Sequence, residues 1–474
     1  MARESLGLSQ LGYARLIARA HDELGFGPRM VKTRHTVSHW EAGRNEPELT
    51  AQLAIARVHH VPEEEVARLG WPHWLHLATD DAALLSRLWT PQGAIDALSS
   101  TARLADAQPR SYLTVTGPAL DSQIRKSLAA LADPQPPPTR DGRPVTPDTL
   151  AGIEARIEAL ELQEIATSAT PMALYFAARA EHRLLTRLLT THGYDQQTGT
   201  WLLLLTARTA ALCEWLSTCM GEEARAERYS LAALRAATAA GSRTRVAAYM
   251  VDLAFRHLVA GHPKDMLSLV HAARAVVRRP PPSLAVTLHT REAQALARLG
   301  DSAASIRALD RATSALAAKV TDADPMTELL CVNVDEEWLD VSSGLTWLHL
   351  RRPKQALPRF ATLLDDGPPS RTPAPLSPCT ARRFLYVTDA QLALGELDSA
   401  AHSARRAVAL VGSLPPGLAH QFRQRFAPHS TEPAVRDLID TLTEHPAHTD
   451  PGMGRPAPRS ARPIRRHHRQ PEGA

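Results

Sequence analysis

The sequence is poor in cysteine, lysine and aromatic residues, and it lacks any long apolar run. Its cysteines form no Cys-x-x-Cys pair and have no histidine at zinc-binding spacing, so we expect small core residues of a reduced protein. No apolar stretch reaches the 18 residues of a membrane span, and no basic start precedes an apolar run. We therefore expect a cytoplasmic protein without a membrane partner. The four cysteines are Cys213, Cys219, Cys331 and Cys379.

Signatures of catalysis are also missing. The chain has no Gly-x-x-x-x-Gly-Lys-Ser/Thr phosphate loop, no Gly-x-Gly-x-x-Gly after a strand, no His-Glu-x-x-His and no Gly-x-Ser-x-Gly. Adjacent histidines at His59-His60 stand near a helix end, where a favourable dipole contact is more common than metal binding. We predict no catalytic residue, no metal and no cofactor, and an enzyme is the least favoured class.

Helix-forming residues dominate what is present. Hydrophobic residues make up 44% of the 474 positions but aromatic residues only 5%, so the apolar content is mostly Leu, Ala and Val. Ala and Leu are good helix formers, and the length suggests several domains. Of the 54 basic residues only five are lysine, a bias typical of high-GC bacterial genomes.

Positive charge is concentrated at the C-terminal end. Residues 451–474 hold six arginines against one glutamate, whereas the whole chain carries a net charge of only +4. We predict a disordered basic tail over residues 446–474. It would either add sequence-independent affinity for phosphates or serve as an inert solubilising end.

The most specific pattern lies near the N-terminus. Thr33 can cap a short helix, in which Val37 and Trp40 would face inward while Arg34 and His35 face outward with Ser38 and His39. A glycine then permits a left-handed turn, and a proline stiffens the entry to the next helix. In order, the pattern is Leu8-Ser9-Gln10, Ala14, Thr36-Val37-Ser38-His39-Trp40-Glu41, Gly43 and Pro47.

This ordered set resembles the repressor-type (Cro-like) helix-turn-helix family over roughly the first 75 residues. The resemblance implies that Gln10 bonds a DNA phosphate and that Arg34, His35 and Ser38 lie against base edges. The alternative is that Val37 and Trp40 form the core of some other small helical bundle. The candidate DNA-binding residues are Gln10, Thr33, Arg34, His35, Thr36, Ser38, His39 and Arg44.

Two departures from the family pattern stand out. The connection over residues 19–31 is longer than the usual tight turn, and only Met1 to Leu6 precede Gly7. We expect either that helix one is a stub or that the true start lies upstream. Two more helices are predicted at Glu48 to His59 and at Pro62 to Leu69, where glutamates match the positive end of the helix dipole.

A proline-rich stretch over residues 133–147 is predicted to separate the N-terminal part from a larger helical region. The predicted divisions are 1–77, a DNA-binding domain; 78–148, a connector and linker; 149–445, a helical repeat domain; and 446–474, the tail.

A repeat can be extracted from the larger region. A turn residue is followed by a small residue five positions later, a bulkier or small residue nine positions later, and a small or apolar residue twelve positions later. The turns are 40, 39, 51 and 44 residues apart. The sites are Gly221/Ala226/Ser230/Ala233, Gly261/Met266/Val270/Ala273, Gly300/Ser305/Leu309/Ala312, Arg351/Ala356/Phe360/Leu363 and Gly395/Ala400/Ala404/Ala407.

Each site is similar to the turn and second helix of a tetratricopeptide repeat, and the fourth matches best, through Gly344, Trp347, Ala356 and Phe360. The resemblance implies an all-α chain, with a helix-turn-helix bundle followed by an α-solenoid whose first helices line a concave groove. Candidate ligand-binding residues are Asp335, Glu336 and Trp338. The alternative is an irregular bundle with coincidental alanine spacing.

Together the two parts resemble bacterial, and in particular actinobacterial, regulators that join a helix-turn-helix to such repeats. The predicted function is sequence-specific transcriptional regulation as a homodimer on a double-stranded DNA operator. The helical repeats would sense a peptide, a small molecule or a partner protein. The alternative is a protein-interaction scaffold with a weakened DNA-binding domain, because residues 1–77 carry nine basic and nine acidic residues.

Overall fold

The structure is a computed structural model, and every regular element that it describes is a helix. Two isolated β-bridges join Arg140 to Tyr194 and Pro144 to Gly193. The predicted all-α class is confirmed for the described part, and no helix there has the length and apolarity to cross a bilayer. The described residues are 3, 8–26, 30, 33–42, 44–59, 61–72, 74–75, 87–104, 113, 115–137, 139–166, 171–318, 334–364, 378–411 and 414–444.

The described residues between 3 and 75, the N-terminal unit, include four helices that surround one small core. The two helices predicted to start near Glu48 and Pro62 are confirmed. Tyr13, Ile17, Val37, Ile55 and Trp74 are all buried in this core. The helices are α1 (Gln10–Glu23), α2 (Arg34–Glu41), α3 (Leu49–Val58) and α4 (Glu63–Leu69).

Local signals explain where the first two helices begin. The Ser9 hydroxyl accepts from the Gly12 amide at 3.1 Å, and the Thr33 hydroxyl accepts from the Thr36 amide at 3.4 Å. Each hydroxyl satisfies an amide that has no partner within its helix. Ala14 is buried where α1 meets its neighbours, and its small side chain lets α2 and α3 pack closely against α1.

Residues 87–444, the body, are built from consecutive helices that pack against one another. The first part holds α5 (Pro91–Ala102), α6 (Gly117–Ala132), α7 (Pro147–Ala166), α8 (Pro171–Thr191), α9 (Gln196–Cys219), α10 (Glu223–Ala239) and α11 (Arg243–Val259). The second part holds α12 (Pro263–Val276), α13 (Pro282–Arg298), α14 (Ser302–Ala317), α15 (Glu336–His349), α16 (Pro353–Ala356), α17 (Ala361–Leu364), α18 (Pro378–Leu394), α19 (Leu397–Val411), α20 (Pro416–Phe426) and α21 (Pro433–Glu444).

Helices α5 and α6 belong to the core of the body. The backbone amides of Val115 and Gly117 donate to Glu227 at 2.8 Å and to Asp265 at 2.9 Å, which ties the start of α6 to α10 and α12. The sequence predicts a connector here and a repeat domain from residue 149. The structure differs because the apolar residues of these helices, such as Leu98, are buried against the later ones.

The predicted turns are present at all five repeat sites. Gly221, Gly261, Gly300 and Gly395 adopt φ values of 77°, 86°, 87° and 80°, and Arg351 adopts 57°. A left-handed residue at this point satisfies the last carbonyls of the preceding helix. The predicted repeat missed a further turn of this type, at Gly241.

The predicted second-helix positions are buried at every repeat site. The clearest contact joins α15 to the 3₁₀ turn Leu357–Phe360, because a Cβ atom on Gly344 would lie 2.5 Å from the Phe360 ring. Only glycine allows this approach without a shift. The tight contact explains why Gly344 and Phe360 occur together in the repeat pattern.

Two later helices of the body, α18 and α20, return to contact the end of α9 and the start of α10. A Cβ atom on Gly417 at the start of α20 would lie 2.4 Å from the backbone oxygen of Met220, at the end of α9. In addition, Arg382 of α18 donates to the Thr218 carbonyl and to Glu223. Residues of α9, α11, α13, α15 and α18 line one small cavity, the central cavity.

One expectation about the cysteines is wrong. Cys213 is a free, buried residue as expected, but Cys219 is disulfide-bonded. The side chains of Cys331 and Cys379 lie outside the described residues.

Candidate nucleic-acid interface

Helix α2 presents a polar face on the surface of the N-terminal unit. Arg34 and His35 are exposed, and Thr36, Ser38 and His39 are half-buried. These are candidate residues of the predicted DNA-binding face, and the structure gathers them on one short helix. The first turn of α2 contains no acidic residue. The face therefore offers hydrogen-bond donors and two imidazoles without a carboxylate at its N-terminal end.

The opposite face of α2 holds the helix in place. Val37 is only 1% exposed, and Trp40 packs partly buried against the same core. Because α2 has eight residues, two inward side chains three positions apart fix its rotation about its own axis. The predicted inward positions of Val37 and Trp40 are confirmed.

A charged clamp joins the start of α1 to the end of α2. Glu41 accepts from Gln10 Nε2 at 2.8 Å and from Arg3 Nε at 2.7 Å. Arg3 also donates to the Leu8 carbonyl at 2.6 Å. The side chains of Arg3 and Glu41 are each 15% exposed, so the carboxylate charge is compensated near the surface. The sequence predicted Gln10 as a phosphate contact and did not reveal its bond to Glu41.

Arg3 is a residue that sequence reasoning missed. Because the expected stub of helix one covers Met1 to Leu6, the prediction falls mainly outside the described residues, of which Arg3 is the exception. The sequence places Arg3 before the first helix and Glu41 at the end of α2, and two such opposite charges can form an ion pair.

Other basic residues flank α2. Arg44 follows the helix, is exposed, and donates its backbone amide to the His39 carbonyl at 2.9 Å. Arg29 and Lys32, which also stand close to α2 in the sequence, lie outside the described residues. The described cations beside the exposed face are therefore Arg34 and Arg44.

Two buried hydrogen bonds hold the helices that support α2. The Tyr13 hydroxyl and His59 Nε2 lie 2.7 Å apart, which joins α1 to the end of α3. Burial raises the pKa of Tyr13 well above its ordinary value, so its hydroxyl keeps its proton. Trp74 Nε1 donates to Gln52 Oε1 at 3.4 Å. These bonds satisfy polar groups that the core encloses.

The candidate ligand residues near α15 have different surroundings. The Asp335 carboxylate caps the helix by accepting from the Trp338 amide at 2.8 Å. Glu336 borders a cleft between α14 and α15, whereas Trp338 lines the central cavity. The structure therefore divides these three residues between a helix cap and two separate surfaces.

No family model, curated protein or solved structure matches the chain. Within the described residues, no group of three or more His, Cys, Asp or Glu side chains is placed to hold a metal ion. The candidate site therefore rests on the geometry of α2 and its supports.

Proposed function

We propose that the chain is a sequence-specific, DNA-binding transcriptional regulator of the repressor-type helix-turn-helix class, with α2 as its recognition helix. The observation that carries the proposal is the two-sided character of α2. Val37 and Trp40 anchor one side in the core, and Arg34 and His35 stand exposed on the other. A rigidly held helix with a polar outer face suits the reading of base edges.

The dimensions of α2 agree with this role. An α-helix with its side chains is about 10–12 Å across, which fits the width of about 12 Å of the DNA major groove, and the eight residues of α2 make about two turns. Arg34 in the first turn can donate two hydrogen bonds to a guanine, and the Ser38 hydroxyl can donate or accept. Thr33 and the amides of the first turn lie where a helix N-terminus attracts phosphate.

The clamp on Glu41 supports the phosphate role proposed for Gln10. A glutamine amide has two N–H donors, and the bond to Glu41 uses one of them. The second donor can reach a phosphate while the first fixes the side chain. Pairing with Arg3 also reduces the repulsion that the Glu41 carboxylate would exert on the DNA backbone.

For the body we propose an α-solenoid of tetratricopeptide-like helix pairs that senses a ligand. The left-handed turns and the buried second-helix positions support this architecture. A homodimer would place two copies of α2 on half-sites about 34 Å apart, and ligand binding in the body would shift that spacing.

Selection from a random double-stranded DNA pool tests the proposal. The full chain should enrich one motif, and a variant with Arg34→Ala and His35→Ala should lose that enrichment. If the full chain enriches no motif, or the double variant enriches it equally, α2 is not a recognition helix. The protein would then be better described as an interaction scaffold.

A further inference from the structure

The central cavity lies among helices of the body. Its walls include Trp215 of α9, Phe255 of α11, Arg291 of α13, Trp338 of α15, and Arg382 and Tyr386 of α18. It encloses about 60 Å³, roughly the volume of two water molecules. Trp215 and Tyr386 are the half-buried aromatic residues of this lining.

Arg291 lines this cavity, and among the described residues no salt bridge joins it to a carboxylate, although the charge of Asp252 acts on it. Its guanidinium lies 4.1 Å from the centre of the Phe255 ring and 5.6 Å from that of Trp338. Its Nη1 donates to Gln294 at 2.9 Å, whereas its Nε is buried without an acceptor. Burial lowers the pKa of Arg291 to about 10, which still leaves the group charged near neutral pH.

Arg382 also lines the cavity, and Glu223 and Tyr386 raise its pKa by stabilising the charged guanidinium. It donates to Glu223 at 3.2 Å, but the same carboxylate also lies 3.5 Å from Arg256. The Arg382 Nε is also buried without an acceptor. Among the described residues, both arginines that line the cavity therefore have a buried Nε donor without an acceptor.

Two buried carboxyl groups act electrostatically on the cavity arginines, Glu214 on Arg382 and Asp252 on Arg291. Burial raises the pKa of Glu214 and raises that of Asp252 well above its ordinary value, and the neighbouring arginines oppose both shifts. Glu214 contacts Arg256 at 2.7 Å. A buried cation that lacks a compensating anion costs free energy, and a bound anion would remove that cost.

We propose that the cavity binds a carboxylate attached to an apolar group, with Arg291 and Arg382 donating to the carboxylate. The enclosed volume admits the carboxylate, and Trp215 and Tyr386, the half-buried aromatic side chains of the lining, pack on the apolar part. The site deepens the proposed function by naming the ligand class for the body. Because the ligand would contact both α13 and α18, it would favour the arrangement in which these two helices lie close together.

Two sources supply this chemistry, a free aromatic acid and the C-terminal residue of a peptide. The experiment titrates the full chain, without DNA, and follows tryptophan fluorescence and heat of binding. The probes are phenylacetate, its neutral amide phenylacetamide, and the tripeptide Gly-Gly-Phe with a free or an amidated C-terminus. We expect saturable binding of at least one acid, and at least tenfold weaker binding of its amide.

Arg291→Gln should weaken binding of that acid at least tenfold, whereas Arg307→Gln, which removes an exposed arginine from α14, should leave it unchanged. The acid and amide comparison needs no variant, so it stands even if Arg291→Gln unfolds. Failure of both acids to bind, or equal binding of acid and amide, would overturn the proposal. Because no DNA is present, either result leaves the DNA-binding proposal to the selection experiment.

Discussion

The N-terminal unit and the body place their arginines in opposite surroundings. In the N-terminal unit, Arg34 and Arg44 are exposed beside a small core. In the body, Arg235, Arg256 and Arg382 are at most 5% exposed. An exposed guanidinium is free to meet a charged surface, whereas a buried one needs partners supplied by the fold.

This difference indicates what each region can do. A helix held by two inward side chains and one clamp can present its polar face to DNA with little change of shape. Buried cations instead tie the function of the body to its packing, because a shift of α18 changes the partners of Arg382. We therefore expect the body to respond to ligands and the N-terminal unit to supply contacts with DNA.

The largest predicted effect tests whether the body can be destabilised without destabilising the N-terminal unit. Phe360→Ala removes a fully buried ring that contacts Gly344, and it should lower the free energy of unfolding of the body by about 3–5 kcal/mol. Urea denaturation followed by circular dichroism measures the change. Phe176→Ala, at a ring 49% exposed, is the control and should have a small effect. A loss below about 1 kcal/mol for Phe360→Ala would contradict the tight α15 contact.

Acid should weaken the body through His182, which is fully buried and lies 2.9 Å from Thr101 and 3.2 Å from Thr209. Burial lowers the pKa of His182 to about 4, below the ordinary value of 6.5. The unfolded chain therefore binds a proton first. Stability is unaffected by His182 above pH 6.5 and falls as the pH decreases from 6.5 to 4, by about 3 kcal/mol in total.

His182→Gln cannot take up this proton, so its stability should depend less on pH between 6.5 and 4. Denaturation at several pH values measures the slope, and His402→Gln, at an exposed histidine of α19, is the control. If wild type and His182→Gln have equal slopes, His182 does not control the acid response.

Local rules predicted the turns, whereas the cavity required the whole fold. A left-handed turn needs glycine, so Gly261 and Gly300 could be recognised from spacing alone, and even Arg351 followed from the register of its repeat. Trp215 and Arg382 are far apart in sequence, and only the packing of α9 against α18 brings them to one cavity.

The candidate DNA-binding face shows the same limit. The cap at Thr33 and the inward positions of Val37 and Trp40 follow from helix periodicity. The bond between Gln10 and Glu41 does not, because it depends on how α1 and α2 cross. Periodicity assigns faces to a helix, but it does not assign partners between helices.

A smaller effect is expected for base recognition. Arg34→Ala should cost about 1–3 kcal/mol on the selected DNA motif and little on random DNA, because the loss is a contact with a base edge. Fluorescence anisotropy with both kinds of DNA measures it. Arg57→Ala, at an exposed arginine of α3, makes the same change of charge on another helix. Equal losses on both DNAs would show that Arg34 contacts only phosphate.

The smallest effect concerns the cap of α2. The Thr33 hydroxyl accepts from the Thr36 amide at 3.4 Å, a long hydrogen bond on an exposed residue. Thr33→Ala should therefore destabilise the N-terminal unit by about 0.5–1 kcal/mol, which is at the lower end of the stability losses measured when an N-cap side chain is removed. Thr33→Ser keeps the hydroxyl and should retain most of that stability. Amide hydrogen exchange in α2 measures the change, and exchange in α15 of the body should remain as in wild type. Faster exchange in both helices would show that the two regions unfold together. The N-terminal unit and the body would then differ in the exposure of their arginines but not in their stability.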